Sequence, residues 1–109
     1  MSQWKELLRL DEIPRLGARV LRTDTMNIAV FRTARDEIFA LQDKCPHKGG
    51  PLSQGIVHDH TVTCPLHNWK IDLNSGEALG PDEGCTHRFA IKVEDGMVYI
   101  QLAVESAVA

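Results

Sequence analysis

Two short stretches carry the residue types able to do chemistry: Cys45-Pro46-His47-Lys48-Gly49-Gly50-Pro51-Leu52 and Cys64-Pro65-Leu66-His67-Asn68-Trp69. Together they read C-x-H, a gap of 16 residues, then C-x-x-H. Each half offers one thiolate and one imidazole, so Cys45, His47, Cys64 and His67 form two matched pairs of metal donors. Two chemistries compete for them. Structural zinc takes sulfur and nitrogen donors tetrahedrally, but its finger spacing groups two cysteines and then two histidines. A binuclear iron–sulfur centre can instead have two cysteines on one iron and two histidines on the other. A mixed pair on each of two loops suits that second arrangement, because each loop then spans both irons.

The remaining candidates are weaker. His58, His60 and His87 have no cysteine at ligand spacing and read as surface or strand residues. Cys85 has no evident catalytic partner and reads as a buried small hydrophobe. Lys48 reads as a solvated loop lysine, and the adjacent Asp82 and Glu83 as a solvated or docking loop. There is no nucleotide fingerprint and no phosphate loop. No catalytic residue is assigned, and no complete active site is expected from this chain alone.

The frame that positions the donors follows from size and patterning. At 109 residues the chain is expected to be one domain, 1–109, with a small core. A net charge of −3 does not indicate a nucleic-acid surface. No apolar run approaches the roughly 18–20 residues of a membrane helix. The opening Met1-Ser2-Gln3-Trp4-Lys5-Glu6 lacks an apolar signal core, so a cytoplasmic protein is expected. Three cysteines, an odd number, argue against a disulfide framework.

Taken in order, Trp4 to Leu10 is ambiguous, since Trp4, Leu7 and Leu8 fit helical spacing. Asp11 to Gly17 reads as a turn region. Ala18–Thr23, Ile28–Arg32 and Glu37–Leu41 read as strands, with turns at Asp24–Asn27 and Thr33–Asp36. Gly49-Gly50-Pro51 demands a loop. Thr61-Val62-Thr63 is a β-branched strand that delivers Cys64, after a turn at His58-Asp59-His60. Asn68–Asp72 leaves the second box as a strand, and Leu73–Gly76 turns. Arg88–Val93 and Met97–Leu102 read as two strands joined through Asp95-Gly96, a strong hairpin signal. Short strands at close spacing predict an all-β antiparallel sandwich or barrel. The two ligand loops would form a cluster-binding subdomain, about 44–84, inserted in that framework.

The CPHKGGPL and CPLHNW stretches resemble the two ligand boxes of the Rieske [2Fe–2S] family, and the resemblance runs from Trp4 to about Leu102. It makes residues 4–10 an opening strand. It implies a Rieske [2Fe–2S] cofactor, with Cys45 and Cys64 on one iron and His47 and His67 on the other. The run Gly80-Pro81-Asp82-Glu83-Gly84-Cys85-Thr86 resembles the small subunits of assimilatory NAD(P)H-dependent nitrite reductases. That likeness implies an electron-transfer subunit, with a large siroheme- and FAD-bearing subunit as partner and no nucleic-acid or membrane partner. Some small subunits of this kind lack the four ligands, whereas all four are present here. Two alternatives stand beside it: a free ferredoxin feeding a ring-hydroxylating dioxygenase, and a non-redox structural subunit with zinc or an empty site. High-potential Rieske proteins carry an extra cysteine in each box and two hydroxyls near the cluster sulfurs. The matching places here are Gly50, Leu66, Trp69 and Ile71, which implies a potential at the low end of the Rieske range.

Overall fold

The computed structural model describes residues 4–23, 26–44, 51–64, 69–79, 84 and 86–101. The strands are β1 (Trp4–Arg9), β2 (Gly17–Arg22), β3 (Asn27–Arg32), β4 (Ile38–Gln42), β5 (Ile56–His58), β6 (Thr61–Thr63), β7 (Lys70–Asp72), β8 (Arg88–Phe89), β9 (Ile91–Glu94) and β10 (Met97–Gln101). The only helical pieces among the described residues are two 3-10 turns, Leu10–Glu12 and Leu52–Gln54. The strands form three antiparallel sheets, in the orders β1-β10-β9, β2-β3-β4-β8 and β5-β6-β7. The all-β expectation therefore holds.

The middle sheet organises the rest. Ile28, Ala29, Val30 and Phe31 of β3 are all buried. Successive strand residues point to opposite faces, so both faces of β3 must be covered. Ala29, Phe31 and Leu41 face one core with Leu52, Val57, Val62, Cys64, Ile71 and Leu73. Ile28, Val30 and Ala40 face a second core with Ile13, Phe89, Val98 and Ile100. The first core lies against the β5-β6-β7 sheet and the second against the β1-β10-β9 sheet.

Residues 4–9 are a strand, as the resemblance implied. A register shift between Glu6 and Leu8 marks a bulge in the β1–β10 ladder. It lets Leu7 and Leu8 both pack on the second core, which is how a strand comes to mimic helical spacing. The expected strand Arg88–Val93 is broken at Ala90. Phe89 and Arg88 pair with Ala40 and Leu41 of β4, whereas Ile91 to Glu94 pair with β10. The chain changes sheets there, and the Ala90 carbonyl accepts a hydrogen bond from the Gln101 N–H at 3.0 Å. The Asp95-Gly96 hairpin is as expected, with φ of 53° and 78°, the sign that a type I′ turn requires at both central residues. The expected turn at Asp24–Asn27 is trimmed, because Asn27 already pairs with Arg22; Asp24 and Thr25 lie outside the described residues.

An ion cluster ties the β3–β4 turn to the first 3-10 turn. Arg32 donates to the carbonyls of Ile13 at 2.7 Å and Leu10 at 3.3 Å, and lies 2.8 Å from Asp36. Arg15 reaches the same carboxylate at 2.8 Å. Hydrogen bonds first from Arg15 and then from Arg32 lower the Asp36 pKa from 3.8 to about 2. Asp36 thus binds its proton less readily folded than unfolded. Its contribution is complete above pH 3.8 and is lost as the pH falls toward about 2. The Asp36→Asn variant is expected to lose less stability than the parent across that interval, as read by urea unfolding at stepped pH. Added salt is expected to shrink the difference, since the pair is solvent-exposed.

Candidate metal centre

Of the four sequence-assigned donors, Cys64 lies among the described residues; Cys45, His47 and His67 lie outside them. Cys64 follows directly on β6, whose β-branched Thr61-Val62-Thr63 run favours the extended backbone. It is 1% exposed and forms no disulfide. Its N–H donates to the Trp69 carbonyl at 2.6 Å, one step beyond the last ladder pair, Thr63 with Lys70. Cys64 and Trp69, the described residues on either side of 65–68, are therefore held together by backbone bonding. A cysteine sulfur is a soft donor, and its thiolate form is the one that ligates a metal.

The first box lies between the end of β4 and the 3-10 turn Leu52–Gln54. Leu52 is fully buried in the first core. The Asp43 carboxylate accepts the Ser53 N–H on Oδ1 and the Ser53 hydroxyl on Oδ2, each at 2.7 Å. A third segment closes beside the second box. Leu79 N–H donates to the Lys70 carbonyl at 2.8 Å, and Ala78 N–H to the Gly84 carbonyl at 2.9 Å. Thr86 N–H donates to the Gly76 carbonyl at 2.8 Å, and the Thr86 hydroxyl reaches the Gln42 carbonyl at 3.3 Å. Gly76 needs to be glycine: its φ is 81°, and a Cβ there would meet the Thr86 carbonyl. Pro81, Asp82, Glu83 and Cys85 lie outside the described residues.

Two of the three histidines set aside from the ligand set, His58 and His60, have side-chain partners. His58 Nε2 is 3.0 Å from the Thr63 hydroxyl. His60 Nε2 is 2.7 Å from Glu37 Oε1, and its ring meets Phe39 edge-on at 5.8 Å. That contact, more than any other, holds the Glu37 carboxyl below its ordinary pKa. Glu37 precedes β4 and Asp43 follows it, so carboxylates at the two ends of one strand hold the β5–β6 turn and the first 3-10 turn after the box. Sequence reasoning missed Glu37, Asp43 and Ser53 as supports. Asp43 could have drawn notice for standing two residues before Cys45 at the end of a strand.

The comparisons with known proteins define an electron-transfer domain of the iron–sulfur class. The chain belongs to the Rieske-like [2Fe-2S] domain family, whose model matches residues 3–101. It is 36% identical over 98 residues to the 3-phenylpropionate/cinnamic acid dioxygenase ferredoxin subunit of Photorhabdus laumondii, covering 88% of this chain and 91% of that one. It is 29% identical over 108 residues to the small subunit of the NADH nitrite reductase of Escherichia coli K12, covering 93% and 99%. A solved structure described as a putative NADPH nitrite reductase small subunit superposes with a TM-score of 0.80 at 27% identity, over 90% of this chain and 97% of that one. No helix among the described residues is long and apolar enough to cross a membrane.

Gly55 offers a direct test of the support around Cys64. A Cβ at Gly55 would collide with the Thr63 carbonyl and with Val62 Cγ2. Gly55→Ala is expected to destabilise by about 1–3 kcal/mol, the range for overpacking. The exposed neighbour Gln54→Ala is expected to stay within about 0.5 kcal/mol. Urea midpoints of the two variants check this.

Proposed function

We propose that this chain is the small electron-transfer subunit of an NAD(P)H-dependent nitrite reductase. In that role it works in nitrate assimilation, beside a large siroheme and FAD subunit in the cytoplasm. We further assign Cys45, His47, Cys64 and His67 as the cluster ligands, within a single domain whose ligand loops span about 44–84. When bound, a Rieske [2Fe–2S] cluster takes up and returns one electron. The chain's own residues hold and shield that group. Cys64 supplies a buried sulfur, Leu52 and Trp69 pack beside it on the first core, and the Cys64 N–H bond to the Trp69 carbonyl ties the two ends of its box.

The observation that carries the choice of partner is the 80–86 run. Its nitrite reductase-like sequence is anchored before its start by the Leu79 N–H on the Lys70 carbonyl, one residue beyond the second box, and at its end by the Thr86 N–H on the Gly76 carbonyl. A likeness to the Escherichia coli small subunit over 93% of the chain agrees with it. A second reading, a ferredoxin serving a ring-hydroxylating dioxygenase, draws on the 36% identity to the dioxygenase ferredoxin subunit. Affinity capture from the native host separates them. Co-purification of a large protein with siroheme absorbance supports the first, and co-purification of a terminal oxygenase overturns it.

Anaerobically purified protein is expected to hold about two irons per chain, the content of a [2Fe–2S] centre. After dithionite reduction it should give a rhombic low-temperature EPR signal, and Cys64→Ser should lose both. A zinc-loaded, EPR-silent protein would overturn the ligand assignment. The midpoint potential is expected at about −150 to −50 mV on the Rieske scale, because Trp69 and Ile71 bring no hydroxyl to the cluster sulfurs. A value above about +100 mV on that scale would refute this reading of the second shell.

A further inference from the structure

The two ligand loops are closed by different physics. The residues flanking 65–68 stand on a backbone ladder, with Thr63 paired to Lys70 and Cys64 N–H bonded to the Trp69 carbonyl. At the feet of the loop 45–50, among the described residues, backbone bonds stay on their own side. Asp43 N–H donates to the Asn27 carbonyl at 2.8 Å, Lys44 N–H to the Gln42 carbonyl at 2.7 Å, and Gln54 N–H to the Pro51 carbonyl at 3.1 Å. The connection across the gap is made by a side chain. Both Asp43 oxygens engage Ser53, one taking the N–H and the other the hydroxyl, each at 2.7 Å. Charge-assisted bonds of this length are about twice as strong as neutral ones. Both residues are half-buried, which limits competition from water.

We propose that Asp43 and Ser53 are positioning residues for the cluster. Their clamp does for the loop bearing Cys45 and His47 what the β6–β7 ladder does for the loop bearing Cys64 and His67. The inference rests on that ligand assignment and is independent of which enzyme is the partner. Neither residue touches the reacting atoms in this account; they act by fixing where the first cysteine–histidine pair stands.

Ser53→Ala is the sharpest test, because it removes one of the two bonds without changing charge. Holoprotein is prepared anaerobically as parent, Ser53→Ala and Ser53→Thr. Three quantities are read on each: iron loss to a chelator, the EPR g-values of the reduced form, and the midpoint potential. Ser53→Ala is expected to lose iron about tenfold faster, the factor equivalent to one weak charge-assisted hydrogen bond. It should also show shifted or broadened g-values, and Ser53→Thr, which keeps the hydroxyl, should restore both. Should Ser53→Ala yield no holoprotein, Asp43→Asn carries the same test, since it keeps an acceptor for the Ser53 N–H. Iron loss within about twofold of the parent, with unchanged g-values and potential, overturns the proposal even if the melting temperature falls. A parent protein without a rhombic signal would overturn the ligand assignment instead.

Discussion

Burial of β3 on both faces is the constraint on which the architecture depends. A strand with four consecutive buried apolar residues cannot end a two-layer structure, because one face would be left in water. Covering both sides requires a sheet on each, and the chain supplies one from β1, β9 and β10 and the other from β5, β6 and β7 between them. The β1-β10-β9 sheet closes one side with Val98 and Ile100. The β5-β6-β7 sheet closes the other with Val57, Val62 and Ile71. The β5-β6-β7 sheet thus supplies one side of the first hydrophobic core, and Cys64 is one of that core's buried members. Burying each such side chain contributes about 1.5–3 kcal/mol, so ligand placement and fold stability draw on the same contacts.

Strand β4 links this frame to the site. Its apolar residues alternate between the two cores, and its flanking residues are acidic. Glu37 meets His60 at the tip of the β5–β6 turn, and Asp43 meets Ser53 beyond the first box. A short strand, itself held in the middle sheet, thereby sets the distance between two parts of the neighbouring layer. The Glu37 contact stands at the surface, where water and salt weaken it. The Asp43 contact is more enclosed and doubly bonded, so the two ends of β4 are unequal anchors.

Much of this was legible from residue order. The β-branched Thr61-Val62-Thr63 run, the Asp95-Gly96 turn, the alternation in β2 and the short apolar runs of β3 and β4 are local signals, and the structure follows them. The ligand spacing identified the family because metal chemistry restricts which donors share a loop. Three features were not legible for a common reason. The bulge that makes Leu7 and Leu8 neighbours on one core, the break at Ala90 and the Asp43–Ser53 clamp each depend on a partner remote in the chain or across a loop. Nothing in Arg88-Phe89-Ala90-Ile91 announces that its halves serve different sheets; only the competing demands of β4 and β10 decide it. Likewise a serine and an aspartate beside a loop are ordinary until their separation in space is known.

The register of the outer sheet has a consequence for how the protein is made. Trp4 pairs with Gln101, and Arg9 with Met97, so among the described strands the earliest synthesised is matched to the latest. While a ribosome is still extending the chain, the middle strands can pair in sequence order, but β1 has no partner. The face of Ile28 and Val30 then stays only partly covered, by residues such as Ile13, until Phe89, Val98 and Ile100 emerge. Contacts of such long sequence separation form slowly, and a partly covered sheet face during that wait invites association with other chains. The interval between synthesis of β4 and release of β10 is therefore when a chaperone would matter most to this molecule.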